Sequence, residues 1–345
     1  MRAFLLAAGL GERLKPLTLT KPKALMPIAN RPSIVRLLEL LQPNGVEEVF
    51  VNLHSFPDEV KDVVGGGSRW KMRVHYSLEE ELLGTAGAMR KIARLLAGDR
   101  FILMNTDIAT DIDLGGAIEA HENSGAKATL VMVNPPKDPD FQEIGVGFDS
   151  RILLHKVPGD QTKTGVYSGI AIFEPSVVDM IPQGYSSLLE SVLIPLAGEG
   201  SLYTHFADGY WADIGRIERY IQANKDAISG KTGMPIDGRL VGDNIWINES
   251  AEINLTVEIE EPALIGKNVS IERGAKIGPY AIIGEGSIIG PKAEISNSIV
   301  WDKCNIGGSA LVESSVIACD QSIPSAQKVR RTILHGGVAE PMFNL

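Results

Sequence analysis

Two cations, Arg13 and Lys23, follow a glycine turn, Gly9-Leu10-Gly11, that itself follows a short apolar run, Arg2–Leu6. Small residues at Ala7, Ala8, Gly9 and Gly11 let the backbone approach a ligand closely, and successive N–H groups in such a turn bind anions. Pro16 and Pro22 stiffen the chain between the cations. A glycine turn with an arginine and a lysine held nearby is what a triphosphate needs. Two familiar phosphate loops are excluded. The third glycine of the dinucleotide fingerprint, due near Arg13 or Leu14, is missing, and no Gly-Lys-Ser/Thr follows. Asp107 ends a second buried run, Phe101-Ile102-Leu103-Met104-Asn105-Thr106. Magnesium takes one or two protein carboxylates plus substrate phosphates, so Asp107 needs a second acid beside it. The run Glu79-Glu80-Glu81 precedes Gly84-Thr85-Ala86-Gly87. A glutamate run is ordinarily a solvated face.

These residues need a scaffold of strand ends. Apolar runs at Glu47–Leu53, Met72–Tyr76, Arg100–Met104, Ala126–Val133, Ile144–Phe148, Ile152–Lys156, Val166–Phe173 and Tyr210–Ile214 read as strands. Helical spacing marks Ile34–Leu41, Asp58–Val64, Thr85–Leu96, Leu188–Leu196 and Ile217–Ile228. The alternation predicts an α/β domain, Rossmann-like, with a mostly parallel sheet and ligands beyond the carboxyl ends of its strands. The glycine turn and Asp107 both fall at such ends. After the linker Ser229–Gly233 the pattern changes. Aliphatic residues recur at every sixth position, at Val241, Ile247, Ile253, Ile259, Ile265, Ile271, Ile277, Ile283, Ile289 and Ile295. Three short strands per turn of a coil give that period. The expected division is a catalytic domain over 1–229, a linker over 230–238, a β-helix over 239–330 and a tail over 331–345.

The string G-x-G-x-R-x-x-P-x-T-x-x-x-P-K from Gly9 to Lys23 resembles the sugar-1-phosphate nucleotidylyltransferases, and the six-residue repeats resemble the left-handed parallel β-helix. Glu12 departs from the family's usual Thr or Ser. The resemblance implies that Arg13 meets the β- and γ-phosphates and Lys23 the α-phosphate. It makes Asp107 a metal ligand, and Trp211-Ala212-Asp213-Ile214-Gly215, matching W-x-D-I-G, supplies Asp213 as the second ligand to Mg²⁺. Gly84 and Thr85 match the L-G-T-A-G that lies against base and ribose, which places Glu79 and Glu80 near the base. One carboxylate there can accept both N1–H and the 2-amino group of guanine, whereas uracil suits an amide better, so the glutamates favour GTP. On the sugar side Gly145 matches a pocket glycine and Lys156 the lysine that grips the sugar phosphate, although His155 and Val157 break the Glu-Lys-Pro motif. Tyr167-Ser168-Gly169 stands for Asn-Ala-Gly, which puts Ser168 at the sugar, and Glu190 with Pro195 fits E-x-x-x-x-P. The overall likeness is to the mannose-1-phosphate guanylyltransferase branch, with an NTP and a sugar 1-phosphate as partners.

Composition narrows the alternatives. The 345 residues are 44% hydrophobic and carry a net charge of −10, which argues against a nucleic-acid partner. No apolar run is long enough to span a membrane, and the start, MRAFLLAAGLG, is too short in its apolar part for a signal peptide. Two cysteines, Cys304 and Cys319, are too few and too far apart for a disulfide framework or zinc site, and a reducing cytoplasm is expected. An acyltransferase reading of the repeats lacks its histidine, since 239–330 contains none. A silent scaffold subunit would not need Arg13, Lys23, Asp107 and Asp213. The flat sides of a coil stack are expected to carry a homo-oligomer contact. Because the site residues all precede Asp226, the repeats are expected to be dispensable for chemistry.

Overall fold

The computed structural model describes residues 1–147, 150–152 and 163–342. Packing divides the chain into two compact units: residues 1–10 with 34–213, and residues 11–33 with 214–345. The boundary expected near residue 229 is therefore not the boundary of packing, because 11–33 and 214–228 group with the repeats.

In the first unit, β1 (Arg2–Leu6), β4 (Glu48–Leu53), β5 (Arg73–Leu78) and β6 (Phe101–Asn105) form a parallel core in the order β6-β1-β4-β5. Ala3, Phe4 and Leu5 of β1 are fully buried, so this strand is covered on both faces, as its unbroken apolar sequence requires. Helices α1 (Ser33–Leu41), α2 (Pro57–Val64), α3 (Gly84–Lys91) and α4 (Ala93–Leu96) fill the crossovers. The sequence reads α3 and α4 as one helix, but the α-helical run breaks at Ile92. Beyond β6 the sheet turns mixed: β10 (Lys163–Phe173) runs antiparallel to both β6 and β8 (Ala128–Val133), while β11 (Leu202–Phe206) pairs parallel with β8. The short β9 (Ile144–Val146) pairs with β10. Separate from this sheet, β7 (Ile108–Thr110) and β12 (Trp211–Asp213) make an antiparallel ribbon. The pattern misses β7, β11 and helix α5 (Leu114–Ser124), whose N-cap Asp113 accepts the Gly116 N–H. The predicted helix at 188–196 is a π-helical stretch, Leu189–Leu193, running into α6 (Ile194–Gly198). Of the strand predicted at 152–156, only Ile152 falls among the described residues.

In the second unit, residues 11–33 form three short 3-10 turns and the two-residue ladder of β2 (Pro27–Ile28) with β3 (Arg31–Pro32). Helix α7 (Ile217–Ile228) follows, and then the repeats stack as a three-sided parallel β-helix. Its inner row is Ile265, Ile271, Ile277, Ile283, Ile289, Ile295, Val300, Ile306, Val312, Ile317, Ile323 and Val329. Val241, predicted as the first member, is exposed. The sixfold period blurs after Ser296 for a local reason. Ile247 pairs with Ile265 and Ile265 with Ile283, but Ile283 pairs with Val300, Val300 with Ile317 and Ile317 with Leu334. From the third coil on, one residue is lost at one corner.

A hydroxyl ladder accompanies the shortened corner. Ala263 and Ala281 occupy the first coils where Ser298, Ser315 and Thr332 occupy the later ones. Ser298 Oγ accepts the Ser315 N–H (3.0 Å) and donates to the Ser296 carbonyl (2.7 Å). Ser315 Oγ repeats the pattern with the Thr332 N–H (3.1 Å) and the Glu313 carbonyl (2.8 Å). Each hydroxyl thus satisfies an amide that the tighter corner leaves without a backbone partner.

No helix among the described residues is long and apolar enough to cross a membrane.

Ser315→Ala removes the acceptor of the Thr332 amide at a buried position and should lower unfolding free energy by about 1–3 kcal/mol. Urea denaturation measures it; an unchanged midpoint and slope would remove the ladder from the account of the short corner.

Candidate active site

At the end of β1 the chain meets a buried amide. Asn52, near the end of β4, is 5% exposed, and its Oδ1 accepts the N–H groups of Ala7 (2.7 Å) and Ala8 (3.2 Å). These two amides, expected to face an anion, are therefore already satisfied, and Ala7 and Ala8 contribute smallness rather than donors. Asn52 Nδ2 donates to Glu79 Oε1 at 2.8 Å, and Glu79 Oε2 accepts the Leu83 N–H at 3.1 Å. Glu79 is 2% exposed, and its backbone carbonyl lies 2.9 Å from His54 Nδ1. With each carboxylate oxygen engaged inside the protein, Glu79 does not present two acceptors to a base. Its neighbour Glu80 is exposed. Sequence alone could not separate the two, because both lie in one charged run and burial decides.

Gly84 and Thr85 start α3. Gly84 takes φ +70°, and a Cβ there would stand 2.6 Å from the Ser186 carbonyl oxygen. The same carbonyl accepts the Ala86 and Gly87 N–H groups, and Gly87 has the Gly184 oxygen 2.4 Å from where its Cβ would be. The two glycines are thus fixed by close approach of residues 184–186.

Asp107 lies between β6 and β7, and Asp213 ends β12 directly opposite Ile108. The two acids, distant in sequence, leave one ribbon at the same end, both half-buried. Thr106, fully buried, anchors this junction by donating to the Leu6 carbonyl at 2.8 Å. Asn105 faces Leu6 in the β6–β1 register, and Gly169 (φ +83°) packs so tightly on Asn105 that a Cβ would meet its Nδ2 at 2.9 Å. Trp211 Nε1 donates to the Ser168 carbonyl at 2.7 Å, tying the ribbon to β10. Two carboxylates at strand ends suit a hard divalent cation that completes its shell with waters and phosphate oxygens. Among the described residues no group of three or more acids, histidines or cysteines forms a closed metal cage.

The sugar-side expectations fare differently. Ser168 is 1% exposed, and its hydroxyl donates to the Val131 carbonyl (2.7 Å) and accepts the Ile170 N–H (3.2 Å). It bridges the register shift between β10 and β8 at Tyr167 and Ile170. The Tyr167 hydroxyl is buried and has no hydrogen-bond partner among the described residues, and burial raises its pKa. Gly145 sits in β9 opposite Thr164, half-buried. Glu190 is exposed on the π-helical stretch. Lys156 lies outside the described residues.

In the second unit, Gly11 takes φ +63°, and a Cβ there would lie 2.7 Å from Thr18 Cγ2. Thr18 Oγ1 donates to the Gly11 carbonyl at 2.9 Å, so the G-x-R-x-x-P-x-T spacing closes one compact turn. Arg13 is exposed, and Lys23 is half-buried at the start of the third 3-10 turn. Glu12 pairs with Lys15 at 2.6 Å, which neutralises the acid that departs from the family pattern.

Asn52→Leu would strand two buried amides and one buried carboxylate oxygen. A loss of about 3 kcal/mol in unfolding free energy is expected; a loss under about 1 kcal/mol by denaturant titration would contradict the strut.

The Nucleotidyl transferase family model matches residues 2–230, and the GMPPB C-terminal domain model matches residues 259–339. A UTP–glucose-1-phosphate uridylyltransferase of Synechocystis sp. is 31% identical over 92% of this chain and 87% of its own length. A mannose-1-phosphate guanylyltransferase of Mycobacterium tuberculosis is 30% identical over 68% of this chain and 66% of its own. A solved structure from Bacillus anthracis, described as a glucose-1-phosphate thymidylyltransferase, superposes with a TM-score of 0.58 at 20% identity, covering 65% of this chain and 94% of that one, which speaks to fold alone. With the family model spanning the whole sheet, the acid-bearing ribbon and the glycine-led loop, the chain belongs to the nucleotidyl transferase family.

Proposed function

We propose that the protein transfers a nucleoside monophosphate from an NTP to a sugar 1-phosphate, giving an NDP-sugar and pyrophosphate, with GTP and a mannose-1-phosphate-like sugar as the preferred pair. The observation that carries the reading is the β7–β12 ribbon, which brings Asp107 and Asp213 to one end although they are far apart in sequence. Asp107 and Asp213 are the residues that would hold Mg²⁺, which would offset phosphate charge when bound. The turn Gly9–Gly11 lets the backbone approach the triphosphate. Arg13 binds the β- and γ-phosphates as pyrophosphate departs, and Lys23 the α-phosphate. A phosphate oxygen of the sugar 1-phosphate attacks the α-phosphorus in line, and the bond to the β-phosphate oxygen breaks. An ionised phosphate needs no strong general base, so catalysis is positioning plus charge neutralisation. Residues 1–229 carry this chemistry, with Gly145, Lys156 and Glu190 on the sugar side and Gly84 and Thr85 against the nucleoside.

Base choice rests on Glu80, an exposed acid left before α3 once Glu79 is committed to Asn52. The uridylyltransferase relative, which spans more of both chains than the guanylyltransferase, supports UTP with glucose 1-phosphate as the second reading. A matrix of four NTPs against mannose, glucose and N-acetylhexosamine 1-phosphates, read as pyrophosphate release, tests both. No release with any pair overturns the activity; faster release with UTP and glucose 1-phosphate overturns the preferred pair.

Glu80→Gln should reduce kcat/KM for GTP more than for UTP, and equal losses would remove Glu80 from base reading. Lys23→Ala should cut kcat by about 10²–10³-fold, and near-normal turnover would remove Lys23 from the phosphate contacts. Asp107→Asn and Asp213→Asn should each abolish most activity and be strongly non-additive, since both serve one ion. Independent, additive losses would refute the shared site.

A further inference from the structure

The segment that carries Arg13 and Lys23 is fastened to the repeats. One residue of the middle coils stands apart. At the position after the inward aliphatic, the coils carry Asn248, Gly266, Gly284, Trp301, Ala318 and His335. The middle of the stack asks for small residues there: a Cβ on Gly284 would meet the Trp301 backbone carbon at 2.5 Å. Coil geometry gives no reason for a tryptophan. Yet Trp301 is 2% exposed, among the largest buried side chains of the chain.

Its indole leads away from the coil. Trp301 Nε1 donates to the Tyr220 hydroxyl of α7 at 2.9 Å, with the rings 6.5 Å apart and nearly perpendicular. Tyr220 is fully buried. One turn later on α7, Asn224, also fully buried, donates to the Tyr220 carbonyl (3.0 Å) and the Pro27 carbonyl (3.2 Å) and accepts the Ala29 N–H (2.8 Å). Ala29 and Asn30 form the bend between β2 and β3, both with positive φ, +45° and +60°. Alanine holds that conformation at a cost, so the bend persists because outside contacts fix it. A second contact does the same: Asn30 Nδ2 donates to the Ile283 carbonyl of the β-helix at 2.7 Å. Lys21 Nζ lies 5.7 Å from the Trp301 ring centroid, and Arg31 pairs with Asp237. Hydrogen bonds thus run from the fourth coil through α7 to the bend six residues after Lys23.

We propose that Trp301, Tyr220 and Asn224 are positioning residues: the β-helix sets the conformation of the loop that carries Arg13 and Lys23, and through it kcat. This rests on the assignment of those two cations to the triphosphate. It revises the expectation that the repeats are dispensable for chemistry.

The test compares Trp301→Phe, Tyr220→Phe and their double variant with Ile306→Ala, a fully buried position of the inner row, whose core cluster includes none of these groups. All are full-length and assayed well below their unfolding temperatures. Hydrogen exchange is followed by mass spectrometry on peptides from 11–33, alongside pyrophosphate release. Trp301→Phe should speed exchange in 11–33 and lower kcat about 10-fold, with the KM for the sugar phosphate changed far less. The double variant should lose no more than the worse single one, since one bond is at stake. Ile306→Ala should lower the unfolding midpoint yet keep kcat. If Trp301→Phe and Tyr220→Phe keep wild-type kcat and exchange, or lose kcat no more than Ile306→Ala at equal destabilisation, the proposal is overturned. A wild-type protein inactive on every NTP and sugar phosphate instead overturns the reading of the active site, and the catalytic part of this proposal with it.

Discussion

On the proposed reading a polyphosphate is held by a chain whose net charge is −10, so the few cations and acids assigned to it have to be fixed in advance. Much of the structure follows from this constraint. The first unit fixes its part with one buried amide: Asn52 joins the end of β1 to Glu79 and, through the Leu83 N–H, to the start of α3. A buried polar group with every partner in place is rigid, and the same group with one partner missing is costly. The strut therefore serves position as much as stability. The acids are set by a separate device, a three-residue ribbon that brings together residues a hundred positions apart.

The second unit handles its cations by a different route. Residues 11–33 have three 3-10 turns, a two-residue ladder and no long element of their own. Such a segment has little intrinsic order, and its conformation is fixed from outside. Gly11 and Thr18 close the first turn, and Asn224 and the Ile283 carbonyl hold the last. A coil stack is well suited to that task, since every coil is bonded to its neighbours and yields little. The departures from its repeat are informative for the same reason. The lost corner residue is answered by Ser298, Ser315 and Thr332, and the misplaced tryptophan by α7.

The legible parts of the sequence were those with a period or a fixed spacing. Strand and helix alternation announced the α/β sheet, and aliphatics at every sixth residue announced the β-helix, because burial imposes those periods directly. The G-x-G-x-R turn was readable because αL geometry at Gly11 demands glycine. What was not legible depends on long-range partners. Ser168 reads like a ligand in its motif, and only the fold shows that its hydroxyl also bridges the register shift between β10 and β8. Glu79 reads like its neighbour Glu80 until burial separates them. The short β7 and β11 carry too few residues for alternation to register. The attachment of 11–33 to the repeats leaves a trace in the sequence, a tryptophan where the neighbouring coils carry Gly284 and Ala318.

The central claim is that a sugar phosphate oxygen displaces pyrophosphate directly, with the side chains only placing and neutralising charge. Stereochemistry at the α-phosphorus reads this step itself. The protein would be given an NTP carrying sulfur at one α-phosphate position of known configuration, together with the sugar 1-phosphate and Mg²⁺, and the NDP-sugar analysed by ³¹P NMR. A single in-line displacement predicts inverted configuration in the product. Retained configuration, which requires a nucleotidyl group held covalently on the protein between two displacements, would contradict the account.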